Sequence, residues 1–318
     1  MPSAAAPADT TVFDNQPQRF PPPLFVLGSP RSFTSLINGV LGQHPQAYGL
    51  PEMNLFMAAT MKEMMEELSG YRQIQMHGLL RVVGQIYSGE QTMASIDMAK
   101  RWVLTRLGRS TTEIFIEICE HIAPLRIIDK SPVYSSKPLY LKRMRQAFPD
   151  ARYLHLLRHP RKQCESSMNV ANGIMAILED SIDYAVDPPI VDPQISWLAV
   201  QRNILEHLSL IPPERQMTLR GEDVLNDRDE HLRRICEWLG MRTDDDAIAP
   251  MLHPERSPYA TLGPIGAHLG NDANYLRSPA LREGRIKPSS LEGPLSWRPD
   301  GGGFTEEVKA MARRFGYE

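Results

Sequence analysis

Cysteine is scarce in this chain: only Cys119, Cys164 and Cys236 among 318 residues, widely spaced and odd in number. That excludes a disulfide framework and suits reduced thiols in or near a core. No apolar run is long enough to cross a bilayer, and Met1–Ala8 lacks the basic flank and apolar stretch of a secretory leader. The expectation is a cytoplasmic protein with no integral membrane segment. Charge of one sign is not in excess, with a formal net charge of −3. A bulk nucleic-acid binder is therefore not expected, and any positive field must be local. The nine histidines form no metal-ligating pattern. His155 and His159 straddle the end of an expected strand instead of sharing a helix face. G-x-S-x-G, a Ser-His-Asp order and internal repeats are all missing. The G-x-x-x-x-G-K-[ST] loop of nucleoside triphosphate enzymes is also absent, because Phe33 and Thr34 stand where Gly-Lys would be.

What is present begins at Leu24. Four apolar residues, Leu24-Phe25-Val26-Leu27, stop abruptly at Gly28-Ser29-Pro30-Arg31-Ser32-Phe33-Thr34-Ser35, and the amphipathic run Leu36–Leu41 follows. The pattern predicts a buried strand, a tight loop and a helix start. Backbone N–H groups and the positive end of the helix dipole converge there, so the place binds an anion, usually a phosphate. Arg31 adds a fixed charge, and Ser32, Thr34 and Ser35 add hydroxyl donors.

A second strand is expected over Arg152–Leu157, followed by Arg158-His159-Pro160 and a helix in which Pro160 suits the first turn. Arg158 then stands at the carboxyl end of a strand, on the ligand-binding edge of an open α/β sheet. Ser166 lies about two turns into the helix. An arginine fork and a hydroxyl can hold a terminal phosphate together. Arg161 and Lys162 are expected to face solvent.

The loop resembles the G-x-P-R-S-G-T-[ST]-L element of sulfotransferases that use 3′-phosphoadenosine-5′-phosphosulfate (PAPS). Arg158 and Ser166 are similar to that family's R-x-P-x-x-x-x-x-S element. The resemblance implies that the loop, Gly28, Ser29, Pro30, Arg31, Ser32, Phe33, Thr34 and Ser35, cradles the 5′-phosphosulfate. It implies that Arg158 and Ser166 grip the 3′-phosphate. Leu219-Arg220-Gly221-Glu222-Asp223-Val224-Leu225 and Ile235-Cys236-Glu237-Trp238-Leu239-Gly240 resemble a late Y-E-D-L and I-C-x-[FW]-L-G segment. Gly221 replaces the usual tyrosine, and Phe33 replaces the usual glycine of the loop. The implied fold is α/β, a mostly parallel sheet flanked by helices, in the sulfotransferase form related to P-loop kinases. Landmarks run from about residue 24 to 240.

Sulfuryl transfer needs cations at the leaving oxygen and a base facing the sulfur. Arg31 is the first cation. Lys130, in Asp129-Lys130-Ser131-Pro132, is the second candidate, the alternative being a solvated lysine paired with Asp129. Glu52 stands where tyrosylprotein-type members carry a catalytic glutamate, the alternative being a residue that stabilises the start of a Met53–Leu68 helix. Arg285, in a basic Gly-containing stretch, is a further nucleotide-binding candidate. The donor would be PAPS, the product 3′,5′-ADP, with no metal, and the partner a small-molecule hydroxyl acceptor. Met53, Met57, Met61, Met64 and Met65 either belong to the core or, together with Met168 and Met175, line a pocket for an apolar lipid, polyketide or aromatic alcohol. Two other readings stay open: a small-molecule kinase on a related fold, and a non-catalytic binder of 3′,5′-bisphosphorylated adenosine.

The expected layout is a disordered segment over 1–21 and one domain over 22–318. Helices are expected over Ile74–Tyr87, Met93–Leu107, Thr111–His121 (capped by Thr111 or Thr112), Ser136–Phe148, Gln194–Leu210 and Phe304–Phe315. Asp227–Leu239 is expected as a helix opened by an Asp227/Glu230 capping box. Strands are expected over 125–128 and 216–220, and a long irregular stretch over 253–303.

Overall fold

The computed structural model describes residues 19–170 and 173–318. The segment expected to be disordered lies outside the described residues up to position 18. Phe20 already packs on Phe148, with ring centroids 6.5 Å apart.

Five strands form a parallel sheet. They are β1 (Leu24–Leu27), β2 (Ala47–Gly49), β3 (Arg126–Asp129), β4 (Arg152–Leu157) and β7 (Gln216–Arg220). A small antiparallel pair, β5 (Ile182–Asp183) and β6 (Ile190–Val191), stands apart. The sheet order is β2-β3-β1-β4-β7. Leu24 pairs with both Ile128 of β3 and Arg152 of β4, so β1 lies between them. Alternate β1 residues feed two cores. Phe25 and Leu27 join one on one face, and Leu24 and Val26 join another on the opposite face. A parallel sheet covered on both faces needs such a continuous apolar run.

This order places the chemistry. All five strands run the same way, so the residues that follow them gather at one edge. That edge, outside the carboxyl ends and beside the strand where the order reverses, is where open α/β sheets bind ligands. β1 delivers Gly28–Phe33, β2 is followed by Glu52, β3 by Lys130, β4 by Arg158 and β7 by Gly221.

Local differences from the sequence reading have physical causes. The Met-rich stretch is two pieces, a 3-10 turn Leu55–Met57 and a helix Met61–Glu67. It breaks because Thr60 pairs with Ser110 in an isolated antiparallel bridge and caps the second piece, accepting from Glu63 N. Met53, Met57, Met61 and Met64 are buried in the core, and Met65 is the outward one. The helix Thr111–Ile122 is capped by Ser110, in a reciprocal box with Glu113, and not by Thr111 or Thr112. Asp227 makes no side-chain cap to the helix Arg228–Leu239; its carboxylate is held by Arg285. The stretch 253–303 includes a short helix, Ala273–Arg277.

Gly28 is required by close approach. A Cβ there would stand 2.6 Å from the backbone oxygen of Leu156 on β4. Gly28→Ala is expected to destabilise the protein by about 1–3 kcal/mol, as overpacking does. The check is a urea transition with a lowered midpoint and an unchanged slope. An unchanged midpoint would mean that β4 yields at no cost.

Candidate functional site

The loop after β1 turns sharply. Arg31 and Phe33 both adopt left-handed backbone, with φ of 68° and 62°. The glycine of the resembled loop is missing at position 33, yet the backbone keeps the conformation that glycine favours. For a bulky residue this costs of order 1–3 kcal/mol. Phe33 opens the helix α1 (Thr34–Leu41) without a side-chain cap, and no acidic residue stands in the first turn. The first amides of α1 therefore lack intrahelical acceptors and carry the positive end of its dipole. An anion at this point would satisfy them.

Side chains beneath the loop fix its shape. Ser29 Oγ accepts from Gln201 Nε2 at 3.0 Å, and Gln201 Oε1 meets His155 Nε2 at 2.8 Å. Burial pushes the His155 pKa down to about 4, so the ring is neutral. Ser29 thus faces inward and steadies the loop. Gln163 Nε2 donates to the Pro30 carbonyl at 2.8 Å. Ser32 and Thr34 are buried. Ser35 Oγ accepts from Lys130 Nζ at 2.7 Å and from the Asp272 amide at 3.3 Å.

Lys130 is not a solvated lysine. Its side chain has 0% exposure, and Nζ donates to Glu52 Oε1 at 2.6 Å. Burial pulls its pKa below the ordinary lysine value, and the attraction of Glu52 acts against that pull. Asp129 does not accept from Nζ, whose partners are Ser35 and Glu52. That buried carboxyl has its pKa raised to about 7 by desolvation. Glu52 is anchored through its amide, which donates to the Gly270 carbonyl at 2.6 Å, while its side chain stays 30% exposed. One end of the carboxylate is held by Lys130 and the side chain still reaches solvent.

Arg158 and Ser166 meet the same loop. Arg158 Nη1 donates to the Arg31 carbonyl at 2.6 Å. Arg31 Nε donates to Ser166 Oγ at 3.0 Å. Arg158 Nε is a buried donor with no protein partner among the described residues. Pro160 occupies the first turn of its helix as expected, and His159 Nδ1 accepts from the Arg161 amide. Arg161 departs from its expected solvent-facing role. Its guanidinium donates to the carbonyls of Ser290, Glu292 and Pro294 and so ties the 290–294 segment to this helix.

The structure thus brings together Arg31, Ser35, Glu52, Lys130, Arg158 and Ser166, with Phe33 at their rim. It does not bring Arg285 to them. Arg285 is exposed and paired with Asp227 at 2.7 Å. Sequence reading missed Asp272, whose carboxylate pairs with Arg31 Nη1. The same side chain starts the short helix Ala273–Arg277, accepting from the amides of Asn274 and Tyr275. Its cap character was readable in Asn271-Asp272-Ala273-Asn274; its reach to Arg31 was not. Gln163 and Gln201 were missed for the same reason.

Three cations, an uncapped helix start and two hydroxyls can hold an extended anion. A carboxylate on the same edge can take a proton. Among the described residues no group of His, Cys, Asp and Glu is arranged to hold a metal ion, and no helix is long and apolar enough to cross a membrane.

Comparison with known proteins gives the family and the fold. A model of the sulfotransferase family matches residues 22–245. An omega-hydroxy-beta-dihydromenaquinone-9 sulfotransferase of Mycobacterium bovis is 26% identical over 136 residues, which are 42% of this chain and 33% of that protein. Its Mycobacterium tuberculosis counterpart matches to the same extent. The match spans about a third of the length of these relatives. Among solved structures, a sulfotransferase domain from the curacin biosynthetic pathway is similar with a TM-score of 0.73 and 25% identity, covering 94% of this chain and 98% of that one. The sulfotransferase domain of the Synechococcus PCC 7002 olefin synthase shares the fold, with a TM-score of 0.70 and 24% identity over 93% of this chain and 95% of that one.

Proposed function

The chain belongs to the sulfotransferase family, and from that premise we propose that it moves a sulfuryl group from PAPS to the hydroxyl of an acceptor, with Glu52 as general base. The observation that carries the donor assignment is the union of two anion-binding elements at one place. The loop at the start of α1 and the Arg158–Ser166 element are joined through Arg31. A ligand with one phosphate has no use for both. A nucleotide with a 5′-phosphosulfate and a 3′-phosphate does.

The acceptor oxygen attacks sulfur in line and forms the new S–O bond. The bond between sulfur and the bridging oxygen of the 5′-phosphate breaks, and its electron pair stays on that phosphate. The hydroxyl proton passes to Glu52. Positive charge is therefore needed where the phosphate accumulates negative charge, and Arg31, Lys130 and the α1 amides supply it. Arg31 does so by sharing or releasing Asp272. Lys130 suits the task because it is buried, where charge acts more strongly than in water. Its bond to Glu52 also orients the base. Glu52, with its partly exposed carboxylate, can meet an acceptor arriving from solvent.

The acceptor is proposed to be an apolar molecule bearing a hydroxyl. Support comes from the relative that acts on omega-hydroxy-beta-dihydromenaquinone-9. The five methionines after Glu52 give none, since four of them lie in the core. Arg285 is not retained as a donor ligand, given its exposed pair with Asp227.

Calorimetric titration tests the donor assignment. 3′,5′-ADP is expected to bind at least about tenfold more tightly than 5′-AMP, because one more charged phosphate is hydrogen-bonded. Equal affinities would overturn it.

A further inference from the structure

Two departures from the resembled pattern meet in space. Phe33 replaces a glycine and Gly221 replaces a tyrosine. A Cβ on Gly221 would stand 2.6 Å from Phe33 Cδ2 and 3.1 Å from the Leu157 carbonyl oxygen. The ring that the pattern puts on β7's end is absent, and a ring from the β1 loop fills the space against it. The ring also has a charged partner. Arg158 Cζ lies 4.5 Å from the centroid of Phe33. A guanidinium over an aromatic face is held by the ring's quadrupole. Arg158 is thus fixed on its face by Phe33 and at one edge by the Arg31 carbonyl, which accepts at 2.6 Å. Its Nε is left buried and unpartnered.

We propose that Phe33 is a positioning residue: its ring, seated on Gly221, sets the plane of the Arg158 guanidinium so that the fork meets the donor's 3′-phosphate already oriented. The proposal rests on the donor reading given above. It also explains why a left-handed backbone position carries a phenylalanine. The strain at Phe33 is kept because the ring performs a task that glycine cannot. Gly221 is the complement, since any side chain there would push the ring off Arg158. The two residues form one unit across the sheet edge.

The experiment compares 3′,5′-ADP with adenosine 5′-phosphosulfate, which lacks the 3′-phosphate, by calorimetry on the full chain. Phe33→Gly keeps the left-handed backbone and removes only the ring. Freeing a guanidinium that was immobilised beforehand is expected to weaken 3′,5′-ADP about 3- to 10-fold. Adenosine 5′-phosphosulfate should change less than about twofold, because Arg158 is not its ligand. Gly221→Ala should shift the same pair of affinities in the same direction. The double variant Phe33→Gly/Gly221→Phe, which returns a ring from the opposite side, should recover most of the loss. A purely structural role would weaken both nucleotides together, and that result, or no change in either, would overturn the proposal. Should the unmodified protein fail to discriminate the two nucleotides, the donor reading itself falls and this proposal with it. A protein whose preference for 3′,5′-ADP is the same before and after Phe33→Gly refutes the positioning role alone.

Discussion

Glu52→Gln is expected to lower turnover by about 10²- to 10⁴-fold, the usual contribution of a positioned base, with 3′,5′-ADP affinity within about threefold of the starting value. The split follows from geometry. Glu52 follows β2, at the far side of Lys130 from the Arg158–Ser166 element. It does not hydrogen-bond the phosphate loop among the described residues; its link to Ser35 runs through Lys130. The substitution keeps an oxygen that can accept from Lys130 Nζ, so the local structure should persist. It removes the site that takes the acceptor's proton. Lys130 would lose the charge opposite it, but Glu52 is 30% exposed and solvent can screen part of that loss. A modest fall in melting temperature is expected with the large fall in turnover. The measurement is steady-state turnover beside calorimetry on the same preparation. Retained turnover would place the base elsewhere. Lost turnover together with lost nucleotide binding would make Glu52 structural.

Arg158→Ala gives the second large effect, and on binding. The guanidinium is tied to the loop through the Arg31 carbonyl and stacked on Phe33, and it still has a buried donor in Nε. Hydrogen bonds to charged groups are each worth about 1.5–3 kcal/mol. Losing one such contact to the 3′-phosphate corresponds to about 10- to 150-fold in affinity for 3′,5′-ADP. Adenosine 5′-phosphosulfate should be affected far less. The change should appear in KM for the donor more than in kcat, since the 3′-phosphate is remote from the breaking bond. An unchanged 3′,5′-ADP affinity would remove Arg158 from the 3′-phosphate site.

The central strand and its loop were legible because burial writes itself plainly. Leu24–Leu27 is apolar throughout since both faces are covered, and it ends where the backbone must turn. The same held for β4 and for Pro160 at its helix start. β2 was not legible. It has three residues and a glycine, and it becomes a strand only by pairing with β3. The Met-rich stretch read as one helix because its local pattern favours one, while the Thr60–Ser110 bridge that divides it joins distant residues. The Ser110/Glu113 box was present as a signature one residue before the chosen cap.

At the site, the sequence marks candidates that belong to a motif and does not mark residues that act by long-range contact. Asp272 sits in an irregular stretch whose path over the β1 loop no local pattern encodes. The burial of Lys130 and its bond to Glu52, which exclude a solvated lysine, are not written in the residues around it. Phe33 and Gly221 were visible separately as departures, but their meeting requires the sheet order that places the ends of β1 and β7 on either side of β4.

The most direct measurement of sulfuryl transfer uses ³⁵S-labelled PAPS with a panel of alcohols that includes long-chain apolar ones, run beside γ-labelled ATP with Mg²⁺. Expected is label in an alcohol sulfate ester with one equivalent of 3′,5′-ADP released, and no phosphate transfer from ATP. Phosphate transferred from ATP, with no sulfate transferred from PAPS, would contradict the assignment of donor and reaction alike.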